Sequence, residues 1–265
     1  LNRIQPSVYL SEPISPKQFE NVDQIESIIL GKIERQIQFD FPYTVAEPGS
    51  SITIISTDTY CSMRSKKSSL VNPTLMWIES VHKYAPIDHG NLISRVYQLQ
   101  PYERPLLTPI NIAIRYKNKY NDQERMHLYH YDQREGWTFI PSTNNKDRGV
   151  ISGEVKQLDA IAIIEDKSPP LILSSHPGNN GKYPSLELDQ IKIRIDDKLS
   201  GFDPKESSFD LFLDNLPLIY TYQPKLKIIS FDLSKPLSIG KHTMQIAIQD
   251  QAGNKTNKII EFSVY

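Results

Sequence analysis

At 265 residues and 30.4 kDa, with 38% hydrophobic and 23% charged residues, the chain exceeds one ordinary core and predicts two domains or one large all-β unit with additions. Thirty basic against thirty-one acidic residues leave a net charge of −1, which excludes the positive excess that a nucleic-acid-binding surface needs. Mean hydropathy of −0.43, with no apolar run near the ~20 residues of a bilayer crossing, excludes a membrane-spanning helix.

Taken in chain order, residues 17–30 carry Phe19, Val22, Ile25, Ile28 and Ile29 at roughly helical spacing and predict a short helix. Strands are predicted at 37–41 and 51–56. A single cysteine, Cys61, has no partner for an internal disulfide and no histidine at a nucleophile's spacing. Residues 62–69, rich in Ser with Arg64, Lys66 and Lys67, read as a mobile loop. A second short helix is predicted over 73–84 from Leu75, Ile78 and Val81.

Beyond residue 90 the period is two. Strands are predicted at 93–99 and at 110–117, where Ile110, Ile112, Ile114 and Tyr116 alternate with Asn111, Arg115 and Lys117. More follow at 125–131, 137–141 and 159–165. The run Glu165-Asp166-Lys167-Ser168-Pro169-Pro170 then ends a strand in charges and two prolines that lack ladder donors, so the division falls near 167. Past it, Ile191, Ile193 and Ile195 alternate with Lys192 and Arg194, and Met244, Ile246 and Ile248 with Gln245 and Gln249. Strands are also predicted at 208–213, 226–231 and 258–264, with turns at Asp214-Asn215 and at Gln251-Ala252-Gly253-Asn254. The fold class is all-β: two consecutive antiparallel β-sandwich domains, 1–166 and 167–265.

The text IGKHTMQIAIQDQAGNKTNKIIEFSV at 239–264, with IRIDDKLSGFD at 193–203, resembles bacterial Ig-like or fibronectin type III-like sandwich domains. Gly240, His242, Asp250, Ala252, Gly253, Asn254, Ser200 and Gly201 carry the match. Upstream, LISRVYQLQPYERPLLTPINIAIRYKNK, MHLYHYDQREGWTFIPS and GVISGEVKQLDAIAIIED are together similar to a ZU5-like β-sandwich over 35–166. Some relatives of that family cleave themselves at a His-Phe-Ser type site. Residues 137–142 here lack the tripeptide, so autoproteolysis is not implied. The resemblance implies a C-terminal region of an exported bacterial protein, some of which carry an M23-type peptidase domain. None of that peptidase's His and Asp ligand motifs occurs here.

No Gly-x-Ser-x-Gly, His-Glu-x-x-His or phosphate-cradling Gly-rich loop is present, which removes the recognisable hydrolase, zincin and nucleotide-binding chemistries. His127 and His130 stand three apart on a strand and so face opposite sides of the sheet. His82, Asp88 and His89 could converge on a loop, but the cluster lacks the ligand count of a zinc site. Asp196, Asp197, Asp203 and Asp250 offer the hard oxygens calcium prefers, if two loops meet at one end of the sandwich; the alternative is that they cap their own turns. Calcium is the one cofactor candidate. Trp77, Trp137, Tyr97, Tyr102, Tyr129 and Tyr131 are either a stacking platform for a glycan or core. The function expected is a non-catalytic structural, assembly or binding module, extracellular, at the cell surface or periplasmic. Its partner is a protein or a larger polypeptide, with polysaccharide or cell wall as the alternative. The start at Leu1, without a charged n-region and apolar run, reads as a fragment or processed product.

Overall fold

The computed structural model describes residues 43–102, 104–117, 123–203 and 208–265, and the backbone of four short strands before them. Those four pair as two antiparallel hairpins, β1 (Asn2–Gln5) with β2 (Val8–Leu10) and β3 (Ile25–Ile29) with β4 (Arg35–Phe39). Residues 25–29, predicted within a helix, are therefore extended, as suits their β-branched isoleucines. The rest of that predicted helix lies outside the described residues.

The next strands are β5 (Thr44–Ala46), β6 (Thr53–Ile55), β7 (Cys61–Arg64), β8 (Thr74–Val81), β9 (Asn91–Leu92), β10 (Val96–Gln100), β11 (Arg104–Arg115), β12 (Met126–Asp132), β13 (Gly136–Ile140), β14 (Ser142–Asn145), β15 (Val150–Leu158) and β16 (Ala160–Glu165). They form two sheets. One runs β13-β12-β16-β10-β8-β5 with β9 beside β16, and the other β14-β15-β11-β7-β6. Ile110, Ile112 and Ile114 of the second sheet pack on Met126, Leu128, Ile161 and Ile163 of the first, all fully buried. Period-two alternation on β11 produces this face directly.

The first sheet is buried on its other face too. Val96, Tyr129, Trp137, Ala162 and Ile164 form a separate apolar cluster there, partly covered by Ile87, Leu92 and Leu199. Burial on both sides explains why residues 160–164 read as an unbroken apolar run.

Beyond residue 170 come β17 (Leu171–His176), β18 (Lys182–Tyr183), β19 (Gln190–Asp196), β20 (Phe209–Leu213), β21 (Leu216–Pro217), β22 (Thr221–Gln223), β23 (Ile228–Asp232), β24 (Gly240–Gln249) and β25 (Lys255–Val264). The sheets are β17-β19-β23-β22 and β18-β25-β24-β20-β21. Ile191, Ile193 and Ile195 face Leu211, Met244, Ile246, Ile248, Ile260 and Phe262 across a second core. Asp214 and Asn215, at φ 51° and 64°, make the tight turn predicted between β20 and β21. The all-β sandwich architecture is as the alternation predicts.

Two further expectations fail. Residues 74–81 are a strand rather than a helix, with Thr74, Met76 and Ile78 buried in alternation and Leu75 and Trp77 only half-buried. The i, i+3 spacing of Leu75, Ile78 and Val81 coexists there with a period-two pattern, and pairing with β10 and β5 decides between them. Residues 62–69 are no mobile loop. Residues 62–64 are laddered to β11, and Ser65 and Ser69 are buried: the Ser65 hydroxyl accepts Ile52 N–H, its carbonyl accepts the Ser51 hydroxyl, and the Ser69 hydroxyl bonds Lys66 N–H and the Thr108 hydroxyl.

Candidate functional site

Three of the aspartates that directly follow a strand come together. Asp166 follows β16, Asp197 follows β19 and Asp250 follows β24. Each continues a buried parity past the end of its strand: Ala162 and Ile164 before Asp166, Ile193 and Ile195 before Asp197, Ile246 and Ile248 before Asp250. One carboxylate oxygen from each lies within 4.8 Å of the other two, on residues that are 0%, 9% and 3% exposed.

Each carboxylate also holds local backbone. Asp197 Oδ1 accepts the N–H of Leu199 at 3.1 Å and of Gly201 at 2.6 Å, closing a loop that Gly201 turns at φ 69°. Asp250 accepts Asn254 N–H at 2.8 Å on Oδ1 and Asn254 Nδ2 at 2.8 Å on Oδ2. Asp166 accepts Ser168 N–H at 2.9 Å and Ser200 N–H at 3.2 Å, while its carbonyl accepts Asn254 Nδ2 at 3.0 Å. The residues after β16, after β19 and after β24 are thereby tied together.

Among the described residues, no lysine or arginine forms an ion pair with these three carboxylates. Two charges at such a separation repel by about 3 kcal/mol at an effective dielectric of about 20. Burial first, and then the charges of Asp197 and Asp166, push the Asp250 carboxyl up to about 6 against the hydrogen bonds from Asn254. Burial likewise raises Asp197, with the charges of Asp166 and Asp196 adding to it. His127 supplies no counter-charge near neutral pH, because desolvation holds its imidazole below the ordinary value despite the carboxylates of Asp166 and Glu124.

Two hydroxyls adjoin the cluster without a hydrogen-bond partner, Tyr129 Oη and Ser200 Oγ, on residues 0% and 2% exposed. They stand near each other but lack hydrogen-bonding geometry. Burial raises the Tyr129 phenol, and the charges of Asp166, Asp250 and Asp197 raise it further. On one side Asp250 opens onto a cleft of about 470 Å³, also lined by His127, Ser142, Asp203 and Gln251. The donor set is all oxygen, which suits a hard cation and not zinc or copper.

Of the four aspartates singled out in the sequence, Asp197 and Asp250 meet. Asp203 lines the cleft instead. Asp196 turns away to Lys198 at 2.6 Å and Lys227 at 2.5 Å, and despite desolvation these cations hold its carboxyl below the usual range. Adjacent residues on a strand face opposite ways, so Asp196 and Asp197 could not both join. Asp166, read only as part of the boundary, is the third member; the inward parity of Ala162 and Ile164 is the signal that marks it.

The remaining candidates separate. His127 packs on Phe139, whereas His130 lies on the opposite face, 3.0 Å from Asp159. That pair borders a cleft of about 340 Å³ with no serine, threonine or cysteine in its lining. His82, Asp88 and His89 are exposed and form no cluster of ligand atoms. Burial, and then Asp58, push the Cys61 thiol up, away from nucleophilic chemistry. Tyr97, Tyr129 and Trp137 are buried, so the six aromatics do not make one stacking platform.

No family model matches the chain, and no curated protein matches it in sequence. Among solved structures, CopC from Methylosinus trichosporium OB3b is similar at a TM-score of 0.30 and 13% identity, over 36% of this chain and 92% of that one. The copper resistance protein PcoC from Escherichia coli is similar at 0.30 and 14%, over 37% and 100%. Latent PorU from Porphyromonas gingivalis is similar at 0.30 and 12%, over 69% of this chain and 23% of that one. Likenesses at these scores carry no argument about this chain.

Proposed function

We propose that the chain is a non-catalytic module of a bacterial exported or cell-surface protein, acting by contact as a rigid spacer or assembly element outside the cytoplasm. Its two units are a ZU5-like sandwich, 1–166, and an Ig-like or fibronectin type III-like sandwich, 167–265. The observation that carries this reading is the seam between them. Leu199 packs with Tyr129 and Ile164, Asn254 Nδ2 and Ser200 N–H both bind Asp166, and Ser168 Oγ donates to the carbonyl of His89 at 2.9 Å. A seam that combines apolar contact at Leu199 with hydrogen bonds from Ser200, Asn254 and Ser168 favours one relative orientation over a hinge. Strand β17 ends its sheet with Leu171 and Leu173 about half exposed, an edge to which a protein partner's strand can add.

The test is a distance distribution between spin labels at Arg134→Cys and Lys225→Cys, both exposed positions, with buried Cys61 left in place. A single narrow distribution is expected. A distribution broad enough to report free rotation of one sandwich against the other would remove the spacer reading.

A further inference from the structure

We propose that Asp166, Asp197 and Asp250 hold one divalent cation, calcium, in the seam between the two sandwiches. The carboxylates come from three strand ends on both sides of residue 167, so an ion bound there crosslinks the units without a covalent bond. The site rests on its own geometry and not on the spacer role.

Three features converge on a cation. Ligand oxygens on one calcium lie at about 2.3–2.6 Å from it, hence up to about 5 Å from one another, and the 4.8 Å limit on the three carboxylate oxygens falls inside that range. The carboxylates are buried without a lysine or arginine partner among the described residues, so positive charge is what the centre lacks. Independently, the hydroxyls of Ser200 and Tyr129 are buried beside the carboxylates with no partner, although Ser200 is anchored there by its own N–H on Asp166 Oδ2. Hydroxyls so placed are neutral ligands or water-holders of the kind that complete a six- to eight-oxygen shell. The cleft at Asp250 gives the ion and its waters a path to solvent.

The turns are already formed by the hydrogen bonds to Leu199, Gly201 and Asn254, so the ligands are preorganised and little ordering accompanies binding. Calcium is favoured over magnesium because three carboxylates fixed by separate backbone segments cannot contract easily to the ~2.1 Å octahedron of the smaller ion.

The experiment uses the full 265-residue chain, stripped with a chelator and titrated with calcium chloride by calorimetry and by thermal melting. One calcium per chain and a rise in Tm of several degrees are expected. Asp197→Asn keeps the acceptor for Leu199 and Gly201 and is expected to weaken binding at least tenfold. Ser200→Ala, a second variant that leaves the charges in place, is expected to weaken it less. Asp196→Asn, one residue away on the opposite face, should bind as wild type does. Terbium in place of calcium should luminesce on tyrosine excitation and lose most of that signal in Tyr129→Phe. Absence of binding by folded wild type, loss of binding in Asp196→Asn equal to that in Asp197→Asn, or equal affinity for magnesium would each overturn the proposal. None of these results alters the spin-label distance in calcium-free buffer, so this proposal and the spacer reading can fail separately.

Discussion

Asp197 and Asp250 sit where two opposing demands meet, since each caps a turn that needs an acceptor while neither environment favours a full negative charge. Replacing Asp197 with Asn retains Oδ1 for Leu199 and Gly201 and removes one of three mutually repelling charges. In calcium-free buffer at pH 8 the variant is therefore expected to melt above wild type, by about 3 °C if ~1 kcal/mol of repulsion is relieved. The sign of the pH dependence follows from linkage. A carboxyl raised in the folded state to about 6 contributes stability that is complete below its unfolded value of 3.8 and lost as pH rises through about 6. Protons thus relieve the wild-type centre on acidification, as the Asn does at every pH. The advantage of Asp197→Asn over wild type should shrink as pH falls from 8 through 6 and be nearly gone at pH 5. Taking the difference between the two proteins cancels groups common to both, such as His127, whose lowered value works in the opposite direction. Melting curves at four pH values check this, and an advantage independent of pH would refute it.

At the scale of strands, alternation made β11, β19 and β24 readable, because each buries one face and exposes the other. The parity of the buried residues, carried past each strand end, points Asp166, Asp197 and Asp250 inward, whereas Asp197 and Asp250 stand out in the sequence only as oxygen ligands on turns. Sequence could not reveal that β16, β19 and β24 finish at one place, since that depends on how separate sheets stack. Nor could it separate strand from helix at 74–81, where both periods fit and long-range pairing decides. The same stacking gives Gly90 its role. A Cβ there would lie 2.6 Å from Ile164 Cγ2, 2.7 Å from Leu199 Cδ2 and 3.1 Å from the Glu165 carbonyl oxygen. The loop before β9 needs a residue without a side chain to lie against both β16 and Leu199. Gly90→Ala is expected to destabilise the protein by about 1–3 kcal/mol through overpacking, visible as a lower Tm. Leu199→Ala should recover part of the loss by clearing one of the two contacts, so a double-mutant cycle with no coupling would exclude this mechanism.

For the whole molecule, the seam determines how the halves behave when separated. Among the described residues, the core around Ile193, Met244 and Ile246 takes residues only from Ile172 onward, and the core around Ile112 and Leu128 takes none from beyond 163. Each sandwich thus has apolar contacts sufficient for its own closure. The third cluster differs, because Leu199 of the second half covers Tyr129, Ala162 and Ile164 of the first. Expressed alone, 167–265 is expected to fold and to lose little, since Leu199 is one side chain on a polar loop. Residues 1–166 alone should fold but expose that apolar face, and should bind a hydrophobic dye and melt below the intact chain. Mixing the halves should restore part of the stability if the seam is an interface in its own right, because binding to the folded form alone shifts the melting transition by mass action. A first half that is as stable alone as in the intact chain, and that binds no dye, would mean the seam contributes nothing. The two sandwiches would then be joined only by the segment from Asp166 to Pro170.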